Sequence, residues 1–167
     1  MTLNGQTIDH PQRHRTSNSG AGALSGNEAT VWQGLLRVST KLLNALDRDL
    51  EVGFGLSIGD YHVLVALSEG HPDGIRMSAL AEQALLSKSR LSHCIDRLSA
   101  AGYVVRERVL DDRRGLLAVL THEGRALLAR CTPMHIDGVR RHFLDLLDPC
   151  DLRAVGDFCD RLNAGWA

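Results

Sequence analysis

Apolar residues recur along this chain of 167 residues with two different periods, and the change from one to the other marks how it is organised. From Glu28 to Leu50 they fall at Val31, Leu35, Val38, Leu42, Leu46 and Leu50, alternately three and four apart, with Trp32, Leu36 and Leu43 widening the stripe. That spacing predicts a long amphipathic helix that needs a partner surface, capped by Asn27 and ended by Gly53-Phe54-Gly55. Ser57-Ile58-Gly59-Asp60 has the form of a capping box with Asp in place of Glu. It opens a second helix to about Ser68, carrying Ile58, Tyr61, Leu64, Val65 and Leu67. After a loop at Gly70–Gly74, Ser78 starts a short third helix with Leu80, Ala81, Ala84 and Leu85 directed inward. Ser87 caps a fourth helix from Lys88 to Ala101, with Leu91, Ile95 and Leu98 as its buried stripe, and Gly102 stops it.

Beyond Gly102 the period falls to two. Tyr103, Val105, Glu107 and Val109 share one face and Val104, Arg106 and Arg108 the other, which predicts a strand. Asp111–Gly115 is a turn and Leu116–Leu120 the returning strand of a two-stranded hairpin. Thr121 caps a fifth helix from His122 to about Leu147, which Pro133 should kink or split. Asp148 and Pro149, as cap and first residue, open a sixth helix with Leu152, Val155, Phe158, Cys159 and Leu162. The fold class is mainly α with a β-wing: six helices and a two-stranded hairpin. Residues 1–27, rich in Gly, Ser, Thr and Asn, read as a flexible tail in which His10, Arg13, His14 and Arg15 would form a basic arm.

Charge sharpens this picture only locally. Nineteen Lys and Arg against twenty Asp and Glu give a net charge of −1, so the whole chain announces no polyanionic partner. From Ser87 to Arg114, however, seven Lys or Arg face four Asp or Glu, a balance of +3. Two short helices crossing at small residues, followed at once by a basic hairpin, form a winged helix-turn-helix, whose second helix can enter the DNA major groove N-terminal end first. Ser87, Lys88, Ser89, Arg90, Ser92 and His93 cluster in its first turns, with Arg97 on the flank and Ser78 at the start of the helix before it. Such side chains donate to base edges or to phosphates. Arg113 and Arg114 at the hairpin tip suit a narrow minor groove, and Asp112 would orient the arginine.

The stretch from Ser57 to Gly124 resembles the MarR family (multiple antibiotic resistance regulators). The matching pieces are M-S-A-L-A-E (77–82), L-S-K-S-R-L-S-H-C-I-D-R-L (86–98), A-G-Y-V-V-R (101–106), D-D-R-R-G (111–115) and A-V-L-T-H-E-G (118–124). The resemblance implies a cytoplasmic, ligand-responsive repressor that binds a pseudo-palindromic operator in double-stranded DNA as an intertwined homodimer. It implies residues 28–56 and 122–167 as dimerisation helices around a DNA-binding lobe of 57–121, with no cofactor. Arg114 matches the minor-groove arginine of the wing, and Asp112 the acid that orients it.

The resemblance also implies a small aromatic or phenolic effector in a crevice between the dimerisation helices and the DNA-binding lobe. Trp32, Arg37, Asp60, Tyr61 and His62 are the candidates here, Arg37 for a carboxylate and Trp32 for a ring. Urate-responsive relatives place an Arg inside the fourth helix, where this chain has Cys94. Two further sensing chemistries are open. Cys150, at the start of the sixth helix, has the position for a reactive thiol, whereas Cys94 and Cys159 lie on the buried stripes. Cys131, His135 and His142 have a helical spacing compatible with zinc. The same fold without DNA could serve as a protein-binding module, but the basic hairpin tip speaks against it. There is no G-x-S-x-G, H-E-x-x-H or Gly-rich phosphate loop, so an enzyme is not expected, and no run of ~20 apolar residues spans a membrane.

Overall fold

The computed structural model describes residues 23–108 and 116–166. Among these residues six α-helices and three strands follow one another as α1 (Gly26–Phe54), α2 (Ile58–Glu69), β1 (Ile75–Arg76), α3 (Met77–Gln83), α4 (Lys88–Ala100), β2 (Val104–Arg108), β3 (Leu116–Leu120), α5 (His122–His142) and α6 (Pro149–Trp166), with a 3-10 turn at Leu144–Leu146. The chain divides into two units, residues up to Leu35 and residues from Leu36 onward. In the first, α1 begins with a reciprocal cap. The Ser25 N–H donates to Glu28 Oε2 at 2.8 Å, and Ser25 Oγ accepts the Glu28 N–H at 3.4 Å. The cap is therefore Ser25 and not Asn27, because only Ser25 stands three residues before an acid.

In the second unit the expected cap of α2 is present in full, Ser57 Oγ accepting the Asp60 N–H while Asp60 accepts the Ser57 N–H. The core gathers Leu50 from α1, Val63, Leu64 and Leu67 from α2, Leu80 from α3, Leu91, Ile95 and Leu98 from α4, and Leu127 and Cys131 from α5. Val104, Ala118 and Leu120 close it from the sheet. Each fully buried aliphatic contributes about 1.5–3 kcal/mol, so this cluster is what holds the two short helices at a fixed angle.

Two details differ from the sequence reading, the strand count and Leu85, and two refine it. The sheet has three strands in the order β1-β3-β2, with Ile75 opposite Ala118 and Arg76 opposite Leu117. A two-residue strand is too short to leave a period. In β2 the core takes Val104, leaving Val105 42% exposed. Leu85 does not face inward: α3 ends at Gln83, Leu85 has φ +55° and its side chain is 86% exposed, while Leu86 turns back toward the core. Finally, α5 runs through Pro133 to His142 without splitting. Pro133 lacks the N–H that would bond the carbonyl of Ala129, and both residues are exposed, where solvent can satisfy that carbonyl.

The L-T-x-x-G motif at the start of α5 has a packing cause. Thr121 Oγ1 accepts the Gly124 N–H at 3.0 Å and donates toward the carbonyls of Gly102 and Tyr103. A Cβ on Gly124 would collide with the Tyr103 carbonyl oxygen. Glycine here lets α5 abut the turn that leaves α4.

Candidate nucleic-acid interface

Four buried residues, Leu91, Cys94, Ile95 and Leu98, fix the inner face of α4. Ser87 caps it, its hydroxyl accepting the Arg90 N–H at 3.3 Å. With the inner face fixed, Ser87, Lys88, Ser89, Arg90, Ser92 and His93 are all exposed, as is Ser78 on α3. The sequence-predicted cluster therefore exists as one polar surface at the N-terminal end of α4. Arg113, Arg114 and Asp112 lie outside the described residues, and so does the basic arm at His10–Arg15.

The cations of this lobe are not equivalent. Arg97 donates to both carboxylate oxygens of Asp60, at 2.8 and 3.0 Å, and to Ser57 Oγ at 3.2 Å. Asp60 is 3% exposed. The two residues, read separately as an effector contact and a DNA contact, are one ion pair that ties the start of α2 to the middle of α4. Nothing in the sequence signals it, since the partners are 37 positions apart. Arg106 on β2 pairs similarly with Asp96 on α4. Among the described residues Lys88 and Arg90 have no carboxylate partner. A further tie joins α1 to this junction: Asp47 Oδ1 accepts the Ile58 N–H at 2.7 Å.

Two cavities flank α2. One of about 570 Å³ is lined by Tyr61, His62, Val65 and Glu69 of α2, by Gln83 at the end of α3 and by Leu85 just after it. The other, about 450 Å³, lies among α1, α2 and α4, with Leu43, Asn44, Ile58, His62, Leu86 and Arg90 in its walls. Of the five proposed effector residues, Tyr61 lines the first and His62 both. Trp32 and Arg37 are exposed on α1, and Asp60 is held by Arg97.

The remaining candidate groups separate. Burial lowers the pKa of His62. Burial, and then the neighbouring charge of His62, lowers that of His135, whose ring stacks on Tyr61 with centroids 4.2 Å apart. His142 bonds instead to Asp49, which Arg141 also holds at 2.7 Å. Cys131, His135 and His142 thus make different contacts, and among the described residues no group of three His, Cys, Asp or Glu is placed to hold a metal. Burial and the adjacent Asp60 push the Cys94 thiol up to about 11. Cys150 and Cys159 are exposed. The expected burial of Cys159 is not met, because no residue of α6 is buried. Among the described residues no single helix is long and apolar enough to cross a membrane.

A sequence model described as MarR family matches residues 54–115. AbsC, a MarR family transcriptional regulator from Streptomyces coelicolor, is 43% identical, with a TM-score of 0.73 covering 86% of this chain and 99% of its own. The chain belongs to the MarR family. It is a DNA-binding transcriptional regulator of the winged-helix fold and not an enzyme. Another MarR family regulator from the same organism, Sco3205, has been solved in complex with DNA. It is 36% identical, with a TM-score of 0.81 covering 89% of this chain and 92% of Sco3205. CouR from Rhodococcus jostii RHA1, solved with p-coumaroyl-CoA bound, is 29% identical, with a TM-score of 0.66 covering 80% and 90%. In this MarR protein the matched segment contains the whole α2–α4 junction described above, including both partners of the Asp60–Arg97 pair.

Proposed function

We propose that this regulator binds a pseudo-palindromic operator as a homodimer and represses transcription in the cytoplasm until a small aromatic effector displaces it. The observation that carries the reading is the surface at the start of α4, where six polar or basic side chains stand clear of a fully buried stripe. Ser87 to His93 meet the major groove in this reading, with Ser78 contacting the backbone. Arg113 and Arg114 at the hairpin tip serve the minor groove, oriented by Asp112. Arg97 acts by positioning α4, since its charge is already matched by Asp60.

Dimerisation is supported by apolar side chains left uncovered on two helices: Val31, Trp32, Leu35 and Val38 on α1, and Leu152 and Phe158 on α6, all at least 39% exposed. Patches of this kind mark association surfaces, and two lobes held about 34 Å apart would meet successive major grooves. Effector control is supported by the cavities beside α2, whose volumes fall in the range of small-molecule sites. The bound p-coumaroyl-CoA of CouR supports it independently.

Selection of bound duplexes from random oligonucleotides tests the reading directly. Enrichment of an inverted repeat is expected, and enrichment of no sequence would refute it. On the selected operator, Lys88→Ala should reduce the slope of log K against log salt by about one, and Arg97→Ala should leave it unchanged. Sedimentation of a monomer at micromolar concentration would remove the homodimer.

A further inference from the structure

The second half of α1 meets the end of α5 around a buried glycine. A Cβ on Gly138 would lie 3.1 Å from Asp49 Oδ2 and 3.2 Å from Leu46 Cδ2, so the two helices touch closely there. Beside this contact a cavity of about 360 Å³ opens, lined by Lys41, Asn44, Ala45, Arg48, Asp49 and His142. It lies on a different pair of helices from the cavities flanking α2, and Asn44 alone lines both it and the α1–α2–α4 cavity.

The charges of this lining are unequally matched. Asp49 Oδ2 accepts from Arg141 at 2.7 Å and is bonded to His142 Nε2 at 3.0 Å, so the acid of the wall is already compensated from α5. Lys41 and Arg48 are exposed, and among the described residues neither has a carboxylate partner, whereas Arg97, Arg106 and Arg141 each have one. Lys41 and Arg48 stand two turns apart, about 10 Å, on one face of α1. Ala45 lies between them and is small enough to leave the space open. Two cations reaching over a low floor suit a group with two charges and three acceptor oxygens. The planar arginine takes two of the oxygens, the lysine takes the third as a point charge, and the Asn44 amide donates alongside. A single carboxylate would satisfy only one of the two cations.

We propose that the α1–α5 cavity binds the phosphate monoester of a small molecule, held by Lys41 and Arg48 above Ala45, with Asn44 as a further donor. His142 and Asp49, fixed by Arg141, form the wall behind it, so a bound ester lies against both helices. The site shares no cation with the surface at the start of α4, and so it stands apart from operator binding.

The test is calorimetric titration of the full chain with n-butyl phosphate, with butanol as the uncharged control, at about 0.15 M salt, where exposed charges are screened beyond ~8 Å. The ester should bind once per chain and butanol should not bind. Lys41→Gln and Arg48→Gln should each weaken the ester about tenfold. Ala45→Met keeps every charge and fills the floor, and should weaken it as much. Arg37→Gln removes a cation of the same helix outside the lining and should leave the affinity unchanged. Thermal unfolding checks that each variant is folded. The operator surface also binds phosphate, so two double variants separate the sites. Lys88→Gln with Arg90→Gln should lose the selected operator and keep the ester. Lys41→Gln with Arg48→Gln should lose the ester and keep the operator. The reverse pattern would place the anion on the operator surface and overturn the proposal. So would wild-type affinity in Ala45→Met or equal weakening in Arg37→Gln, since diffuse positive charge and no cavity would then hold the ester. Failure of the wild type to bind butyl phosphate at millimolar concentration would remove the site.

Discussion

The guanidinium of Arg97 lies 2.8 Å from a carboxylate oxygen of Asp60, whose side chain is 4% exposed while that of Arg97 is 56% exposed. This asymmetry decides what each partner contributes. Removing the arginine leaves a carboxylate out of water with Ser57 and the Cys94 thiol beside it; removing the acid leaves a guanidinium that solvent still reaches. Asp60 also caps α2. Asp60→Ala should therefore destabilise by about 2 kcal/mol, of which loss of the cap is about half. Arg97→Ala should cost about 1–2 kcal/mol, discounted because the exposed arginine is partly screened. The double variant should be less destabilised than the sum of the two, measured by urea denaturation. Strict additivity would show that the pair does not couple α2 to α4.

Gly124→Ala should destabilise by at least ~2 kcal/mol even though alanine is the better helix former, because the added methyl meets the Tyr103 carbonyl. Gly156 on α6, with open space around its Cβ position, is the control. Gly156→Ala should be neutral or stabilising by up to ~1 kcal/mol. Equal urea midpoints for the two variants would contradict the packing.

Acid should weaken the fold through the histidines between α2 and α5. Burial lowers the pKa of His62 and of His135 below the ordinary 6.5, so the unfolded chain binds protons that the folded one refuses. Their contribution is complete above pH 6.5 and is lost as pH falls from there toward the lowered values, at no more than ~1.4 kcal/mol per pH unit for each histidine. His135→Phe keeps a ring on Tyr61 and removes one titration, and should flatten the profile of unfolding free energy below that pH. An unchanged slope would exclude His135.

Thiol reactivity should divide the four cysteines in pairs. Cys150 and Cys159 are exposed and should react with a disulfide reagent in the folded protein. Cys94 and Cys131 are buried with raised pKa values. At a pKa of about 11, Cys94 has on the order of one thiolate in ten thousand at neutral pH. Two rapid equivalents, with two more only after denaturation, are expected; four rapid equivalents would mean the core is open.

The parts of this molecule that could be read from sequence are those with local causes. The Ser57–Asp60 box, the Ser87 cap and the Leu91–Ile95–Leu98 stripe each depend on neighbours within one or two helical turns, so spacing alone reveals them. The cluster at the start of α4 follows, because fixing the buried stripe fixes its opposite. What could not be read depends on tertiary approach. Asp60 looked like a surface acid near a crevice until Arg97 was placed beside it. Leu85 misleads for a different reason: its left-handed φ takes it out of the helical period that an apolar residue there suggests.

The pairing of β1 with β3 gives the hairpin a mechanical role. β3 is bonded along both edges, to β1 and β2, and β1 ends at Arg76, directly before the first residue of α3. A displacement of β3 is therefore shared with the peptide unit that begins the helix pair. The wing is in this sense tied to the start of α3 by main-chain bonds, which change with backbone geometry and not with the side chains that flank them.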